Sequence, residues 1–438
     1  MIRAARGVAL GVAMSVVATH TWAQEPPPRR AGPAPGPTGA DVPATLRESG
    51  PPITAYPAEL LGLLAPPAER GPITLRPSIA ISEEYDDNVF LDNRRRRWDV
   101  ITRISPALTL TVNRPAYYLS AGYTLSGEVY AKETELNDAF KDQAFVATGF
   151  YRGTRGLTLT VADLFALSRS TNLVGSQGFA TGQQETWSNT FTPGLVWQMT
   201  PQTTLNVAGT FGVQRFIGSD STTSTPGSDS NTYGLLTTVD HALTARLTGS
   251  IGYGFTYLDF LGEGDNSATH IPAVGVTYLL TPTLTASVRG GPAITQLAGD
   301  TLVNPAVAAR IEQVFQIGSV SLEYSRGVGV AGGFGGTTET QRISAGLTLP
   351  TWQRGLFIAF TPTYNTAKSI RHGQTSDVDV NAVTVPLAVN YQFARFASVF
   401  AEYRFFRQRT GSSSSGQVDI DQNRVRFGVQ FGYPFNFE

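Results

Sequence analysis

The 438-residue sequence contains no cysteine and only four histidines. Without cysteine there is no disulfide, no thiolate metal site and no lipid anchor, which fits an exported chain that must not oxidise on its way. His20 falls in the leader, His241 near a tight turn, His270 at a strand start and His372 in a loop. None has a serine or carboxylate placed to make it a general base, so no enzyme is expected, and no cofactor. Charged residues are 15% of the chain and the net charge is −1, which lacks the basic face that nucleic acid requires. No window beyond the N-terminus holds the roughly 18 consecutive apolar residues of a spanning helix. That absence leaves a β-barrel open, because each barrel strand needs only about 10 alternating residues.

Glycine is plentiful at 45 residues, and aromatics make up 10%. The last stretch states the pattern. Val425, Phe427, Val429, Phe431, Tyr433 and Phe435 alternate with Arg424, Arg426, Gly428, Gln430 and Gly432. One face is aromatic and the other is charged or small. A soluble sheet would bury the first face, whereas a membrane barrel would turn it to lipid and keep the arginines in a watery lumen. On the second reading an arginine is costly at Phe431 and tolerated at Gly428.

The chain length allows two or three soluble domains or one large barrel. Arg3 and Arg6, the apolar run Gly7 to Ala18 and Thr21-Trp22-Ala23 read as a secretory signal peptide over 1–23. Residues 24–71 carry 12 of the 27 prolines and read as a largely disordered periplasmic arm. Its apolar island, Ala58 to Leu64, could dock at the barrel mouth or on a periplasmic partner. From Pro72 onward, eighteen alternating runs follow, from 73–84 to 418–435, with the fifteenth at 355–368. Eight tight connections, among them Asn113 to Ala116, Gly153 to Gly156 and Thr281 to Thr283, alternate with nine longer polar ones. A soluble sandwich has no reason to alternate in this way. An outer-membrane barrel does, with short periplasmic turns and long external loops. Tyr117, Tyr118, Trp197, Tyr278, Trp352, Tyr391, Phe393 and Phe396 gather near the short turns, as a headgroup-level girdle would.

Parity with each strand's apolar set selects the pore-lining candidates Arg76, Arg103, Glu128, Arg289, Arg310, Glu323, Arg342, Glu402, Arg404, Arg424 and Arg426. Adding Glu84 and Glu312 gives eight arginines against five glutamates, which predicts a weak anion preference. Glu402 and Arg424 are expected side by side across the hairpin, leaving Arg404, Arg426 and Arg76 as a basic stripe. No link is long enough to fold in as a large constriction. Asp163 shares parity with Leu159, Val161, Phe165 and Leu167, so a bulge or a displaced strand end is expected there. Asp86-Asp87-Asn88 with Asp92 offers hard oxygen ligands, yet reads better as an Asx-type turn in a solvated loop, and no metal site is assigned. Arg94, Arg95, Arg96 and Arg97, followed by Trp98 at the outer rim, are candidates for contact with lipopolysaccharide or another anion, although such a run is commonly just solvated.

Arg76-Pro77-Ser78, Tyr85-Asp86-Asp87-Asn88-Val89-Phe90 and Ser105-Pro106-Ala107-Leu108 resemble the outer-membrane β-barrel porins described as β-barrel porin 2. The resemblance implies an outer-membrane barrel over 72–438, and some members are associated with exopolysaccharide or capsule production. Barrel-assembly machinery reads a terminal aromatic on the last strand, whereas here Phe437 is penultimate. The reading is therefore an all-β, up-and-down antiparallel transmembrane barrel of about 18 strands, range 16 to 20, in the outer membrane of a Gram-negative bacterium. Its function is passive passage of small polar solutes. The alternatives are a component of exopolysaccharide export or envelope assembly, and a structural or adhesive barrel. Its partners are outer-membrane lipid and lipopolysaccharide, the assembly machinery through the last strand, and a periplasmic protein through the arm.

Overall fold

The computed structural model describes residues 72–437 apart from 170–177, 182–184, 218–227, 263–264, 332, 350–353, 371–377 and 412–417. The leader, the proline-rich arm with its apolar island, Trp352 and His372 lie outside the described residues. The strands are β1 (Ile73–Asp86), β2 (Asp99–Asn113), β3 (Tyr117–Tyr130), β4 (Asp138–Arg152), β5 (Leu157–Arg169), β6 (Glu185–Thr200) and β7 (Thr203–Ile217). They continue with β8 (Ser230–Ala242), β9 (Leu247–Phe260), β10 (Ser267–Thr281), β11 (Leu284–Leu297), β12 (Asp300–Phe315), β13 (Gly318–Gly329) and β14 (Thr338–Leu349). The last are β15 (Leu356–Phe360), β16 (Thr363–Ser369), β17 (Asp379–Ala394), β18 (Ala397–Thr410), β19 (Ile420–Gly432) and β20 (Phe435–Phe437).

All pairings are antiparallel, and β1 pairs with both β2 and β19, so the sheet closes on itself. The twenty segments make eighteen spans. β15 and β16 both lie between β14 and β17, interrupted at Thr361-Pro362, and β19 and β20 both pair with β1, interrupted at Tyr433-Pro434. Proline has no N–H to give the ladder, which is why each run breaks there. One external connection departs from the expected length. β11 and β12 are joined by Ala298 and Gly299 alone, both at positive φ (49° and 86°), the geometry of a tight hairpin.

Alternation sorts the faces as a lipid-embedded barrel demands. On β1, Ile79, Ile81 and Tyr85 are exposed while Thr74, Ser82 and Glu84 are buried; on β19, Val425, Phe427 and Phe431 are exposed while Arg426 and Gln430 are buried. Of the girdle candidates, Tyr117, Trp197, Tyr278, Tyr391, Phe393 and Phe396 are exposed, whereas Tyr118 stacks on Phe150 at 5.8 Å.

Two expectations fail. Gly428 does face inward, but a Cβ there would lie 2.5 Å from the Ile81 carbonyl and 2.7 Å from Phe400, so an arginine has no room. The ladders of β5 with β4 and β6 run without a register shift, and therefore no bulge removes Asp163 from the outer face. Its carboxylate is instead held by Asn189 Nδ2 at 2.7 Å. Asp163→Asn keeps a hydrogen-bonding partner and removes a charge from the lipid side near the strand centre. It should raise unfolding stability in urea by about 1 kcal/mol, less than the ~2–4 kcal/mol of a midplane arginine, as read from the midpoint of the heat-modifiable band.

Candidate functional site

Strands β3, β2, β1, β19 and β18 are consecutive around the ring, and they bring most of the sequence-selected lumen residues into one buried network. Arg103 Nη2 lies 2.6 Å from Glu128 Oε1 and 3.9 Å from Glu84 Oε2. Glu84 Oε1 accepts from Arg424 Nε at 2.9 Å, and Glu84 Oε2 is 4.0 Å from Arg426 Nη1. Arg426 Nη2 is 3.9 Å from Glu402 Oε2, and Arg404 Nη2 donates to Glu402 Oε1 at 3.1 Å. Asp86 joins through Arg424 Nε at 3.7 Å and accepts from Gln422 Nε2 at 2.8 Å. Tyr130 Oη donates to Glu128 at 2.7 Å.

The register explains these contacts and corrects the expected pairing. Glu402 stands opposite Arg426, and Arg424 opposite Arg404, so Glu402 and Arg424 are not neighbours across the hairpin. On the other side Arg426 stands opposite Glu84 and Arg424 opposite Asp86. The expected basic stripe is thus a sequence of alternating signs. Arg404 and Arg426, assigned to that stripe, each have a glutamate within 4.0 Å.

The remaining candidates line other parts of the wall. Arg310 is paired with Glu323 and lies 3.1 Å from Glu312. Arg289 acts electrostatically on Asp240, which accepts from Asn206 Nδ2 at 2.7 Å. Arg342 is buried between Ser325 and Asn365 on the flanking strands, and Arg76 stands opposite Thr109. Parity also turns Asp86, Asp142 and Asp240 inward, three acids absent from the sequence count. Asp99, buried at the start of β2 with the parity of Arg103, is a fourth, and the expected excess of positive charge disappears.

At the external end the lumen is crossed. Residues 178–181 of the link between β5 and β6 sit against the far wall, where Phe179 and Ala180 are buried among Val380, Ala382, Phe406 and Ile420. Gln408 clamps this segment in both directions, accepting from Ala180 N at 2.9 Å and donating to Ala180 O at 2.8 Å. Gly178, at φ +82°, lies so close to Asn365 that a Cβ would collide with its amide. The expectation that no link folds in as a constriction is therefore overturned. The readable signal was Gly178-Phe179-Ala180 in a long link, together with an apolar inward position at Phe406.

The link between β1 and β2 makes the expected Asx-type turn, with Asn88 N donating to Asp86 Oδ1 at 2.9 Å, but not in a solvated loop, because Asp86, Asn88, Val89 and Leu91 are buried. Its arginines are bracketed by acids: Arg95 by Asp92 at 3.6 Å, Arg96 by Asp87 at 2.8 Å and Arg97 by Glu133 at 3.1 Å, while Arg94 is exposed. Among the described residues no three metal-ligating side chains come together. His241 bonds Thr203 Oγ1 at 2.9 Å and His270 bonds Tyr253 Oη at 2.6 Å, in neither case a carboxylate.

Residues 184–291, from the start of β6 into β11, match the family model described as "Putative beta-barrel porin 2". This stretch does not include the short motifs of β1 and β2. No curated protein sequence matches the chain. Among solved structures, OpdQ of Pseudomonas aeruginosa is similar at 11% identity with a TM-score of 0.44, over 83% of this chain and 98% of that one. OccK5 (OpdH) of Pseudomonas aeruginosa is similar at 14% identity with a TM-score of 0.42, over 82% and 98% of the two chains. OccAB4 of Acinetobacter baumannii is similar at 11% identity with a TM-score of 0.39, over 85% and 100%. A closed eighteen-span barrel with an apolar exterior and a porin-family match belongs in the outer membrane of a Gram-negative bacterium.

Glu84 is the acid shared by Arg103, Arg424 and Arg426. Glu84→Gln leaves three buried guanidinium groups short of one counter-charge, which should cost about 3 kcal/mol of unfolding free energy. Urea titration of the refolded protein checks this, and Glu312→Gln, at a half-exposed lumen position, serves as the mild comparison.

Proposed function

We propose that the lumen passes small polar solutes passively across the outer membrane, and that residues 178–181 set its narrowest level. At eighteen strands side chains alone do not fill a barrel, so a water-filled path is the physical default. The inward-folded segment carries the reading: Phe179 and Ala180 are anchored on the far wall and narrow the external mouth without belonging to the barrel wall itself. At this level the segment docks on an apolar patch of the wall, while the seam wall carries acids and arginines in alternation, which suits uncharged or zwitterionic solutes as well as ions of either sign. The proline-rich arm, by its composition, is assigned to the periplasm, where it reaches partners or the barrel entrance. The last strand is assigned to recognition by the barrel-assembly machinery. Of the described histidines, His241 bonds the Thr203 hydroxyl and His270 the Tyr253 hydroxyl, without a carboxylate bonded to either ring to orient it as a base, and the chain is read here as a channel.

Planar-bilayer recording of the refolded chain tests the proposal. The wild type should conduct, with a reversal potential near zero in a KCl gradient. Phe179→Gly combined with Gln408→Ala should raise the single-channel conductance, because it removes both the apolar anchor and the amide clamp. Glu84→Gln with Glu402→Gln should move the reversal potential toward anion preference, more so at low salt, where the screening length exceeds ~10 Å. A wild type and an anchor variant that are both non-conducting would sink the channel reading.

A further inference from the structure

The outer face of β18 reads Tyr403, Phe405, Arg407, Arg409 toward the external end. Its neighbours change character toward the same level: β19 from Phe427 and Val425 to Asn423 and Asp421, and β1 from Ile81 through Glu83, whose carboxylate is held by Thr102, to Tyr85 and then Asp87. Tyr85 and Trp98 sit 5.9 Å apart beside them, both exposed. An apolar band, then rings with polar tips, then guanidinium groups is the order met on passing from acyl chains to headgroups. Arg407 and Arg409 therefore stand at phosphate level on the lipid side of the barrel.

The link between β1 and β2 is tied to this spot. Asn93 Nδ2 donates to Asp421 Oδ2 at 3.1 Å, Asp421 N donates to Asn93 Oδ1 at 2.8 Å, and Asn423 Nδ2 donates to Asp87 Oδ2 at 2.8 Å. The ties bring Arg94, Arg95 and Arg96 over the seam beside Arg407 and Arg409. The acids in the patch act as brackets: Asp421 lies 2.7 Å from Arg409 and 3.7 Å from Arg407, Asp87 2.8 Å from Arg96 and Asp92 3.6 Å from Arg95, while Asp419 accepts from Thr410. The bridging carboxylates are recessed, with side-chain exposures of 29%, 19% and 15%, whereas Arg407, Arg96 and Arg95 stand out at 56%, 40% and 65%. Arg409 also gives Nη1 to the Gln408 and Ile420 carbonyls and thereby fixes Asp421, whereas Arg95, Arg96 and Arg407, more exposed and each held by a recessed acid, are arranged for contact with phosphate oxygens.

We propose that this seam patch, Arg94, Arg95 and Arg96 with Arg407 and Arg409, binds the phosphate monoesters of a phosphorylated outer-leaflet glycolipid. The proposal rests on the outer-membrane reading. It relocates the anion contact from the arginine run alone to a two-part site across the closing strands, and it leaves out Arg97, which is turned to Glu133 and Phe90.

The test uses the full chain without its leader, refolded in detergent, with bisphosphorylated lipid A and its dephosphorylated form as probes and bound lipid counted by native mass spectrometry. Arg407→Gln with Arg409→Gln should weaken binding of the phosphorylated form roughly tenfold. The exposed Arg94→Gln alone should weaken it less, and it keeps the test usable if the double variant does not fold. Arg114→Gln with Arg152→Gln, at the short-turn rim, should leave binding unchanged. Equal binding of both lipids, an equal loss in the short-turn variant, or full competition by millimolar inorganic phosphate would overturn the glycolipid assignment. Failure of the wild type to enter vesicles would instead overturn the membrane reading beneath it.

Discussion

Inside a bilayer there is no water to satisfy an open strand edge, so every backbone N–H and C=O of the sheet must find a partner. In this chain that demand falls last on the pairing of β1 with β19, which runs from Ser78↔Gly432 to Asp86↔Arg424 and is extended by β20 on Leu75 to Ile73. Beyond the strand ends the seam continues through Asp87, Asn88 and Asn93, which bond the outer end of β19 from both of its faces. The lumen network, the anchored β1–β2 link and the outward arginine patch all depend on this one closure.

Seen from within, the seam is also where charge is densest. Glu128, Arg103, Glu84, Arg426 and Glu402 alternate in sign across five neighbouring strands, each one residue or one diagonal from the next. Like charges placed directly opposite repel, and where the register sets them so they are drawn to other partners: Arg404 and Arg424 to Glu402 and Glu84, Asp86 to Gln422, and Asp99 to the Lys132 and Glu133 amides. A buried network of this kind gives less stability than its contacts suggest, because each charge is desolvated, yet any unbalanced member is expensive. It therefore constrains which strands lie side by side more than it strengthens their contact.

Strand number, facing and the alternation of connections were legible in the sequence because each rests on a period-two pattern repeated many times, so local errors average out. Interruptions were not, since Pro362 and Pro434 break a ladder that Pro77 and Pro106 do not, and only the pairing context separates them. The pairings expected among the lumen candidates differ from those the register makes. Hairpin register depends on where a link begins and ends, and a shift of two residues keeps every side chain on its face while changing every partner. Asp86, Asp142 and Asp240 carried the same inward parity as the glutamates and were legible on that ground. The inward course of residues 178–181 depended on a contact with β18 more than 200 residues away, and no local signal measures that distance.

Closure between the first and the last strand has a temporal consequence. Ser78 and Gly432 lie at opposite ends of the barrel sequence, so the pairing that seals the ring is also among the most non-local in the molecule. Contacts of that kind form slowly, and hairpins such as β11–β12, joined by two residues, can form long before them. Until the C-terminal strand docks, the growing sheet has two unsealed margins and nothing to join them. A chain truncated before β19 is thus not a smaller channel but an open, adhesive ribbon, and its fate is set by whichever chaperone or protease reaches it first.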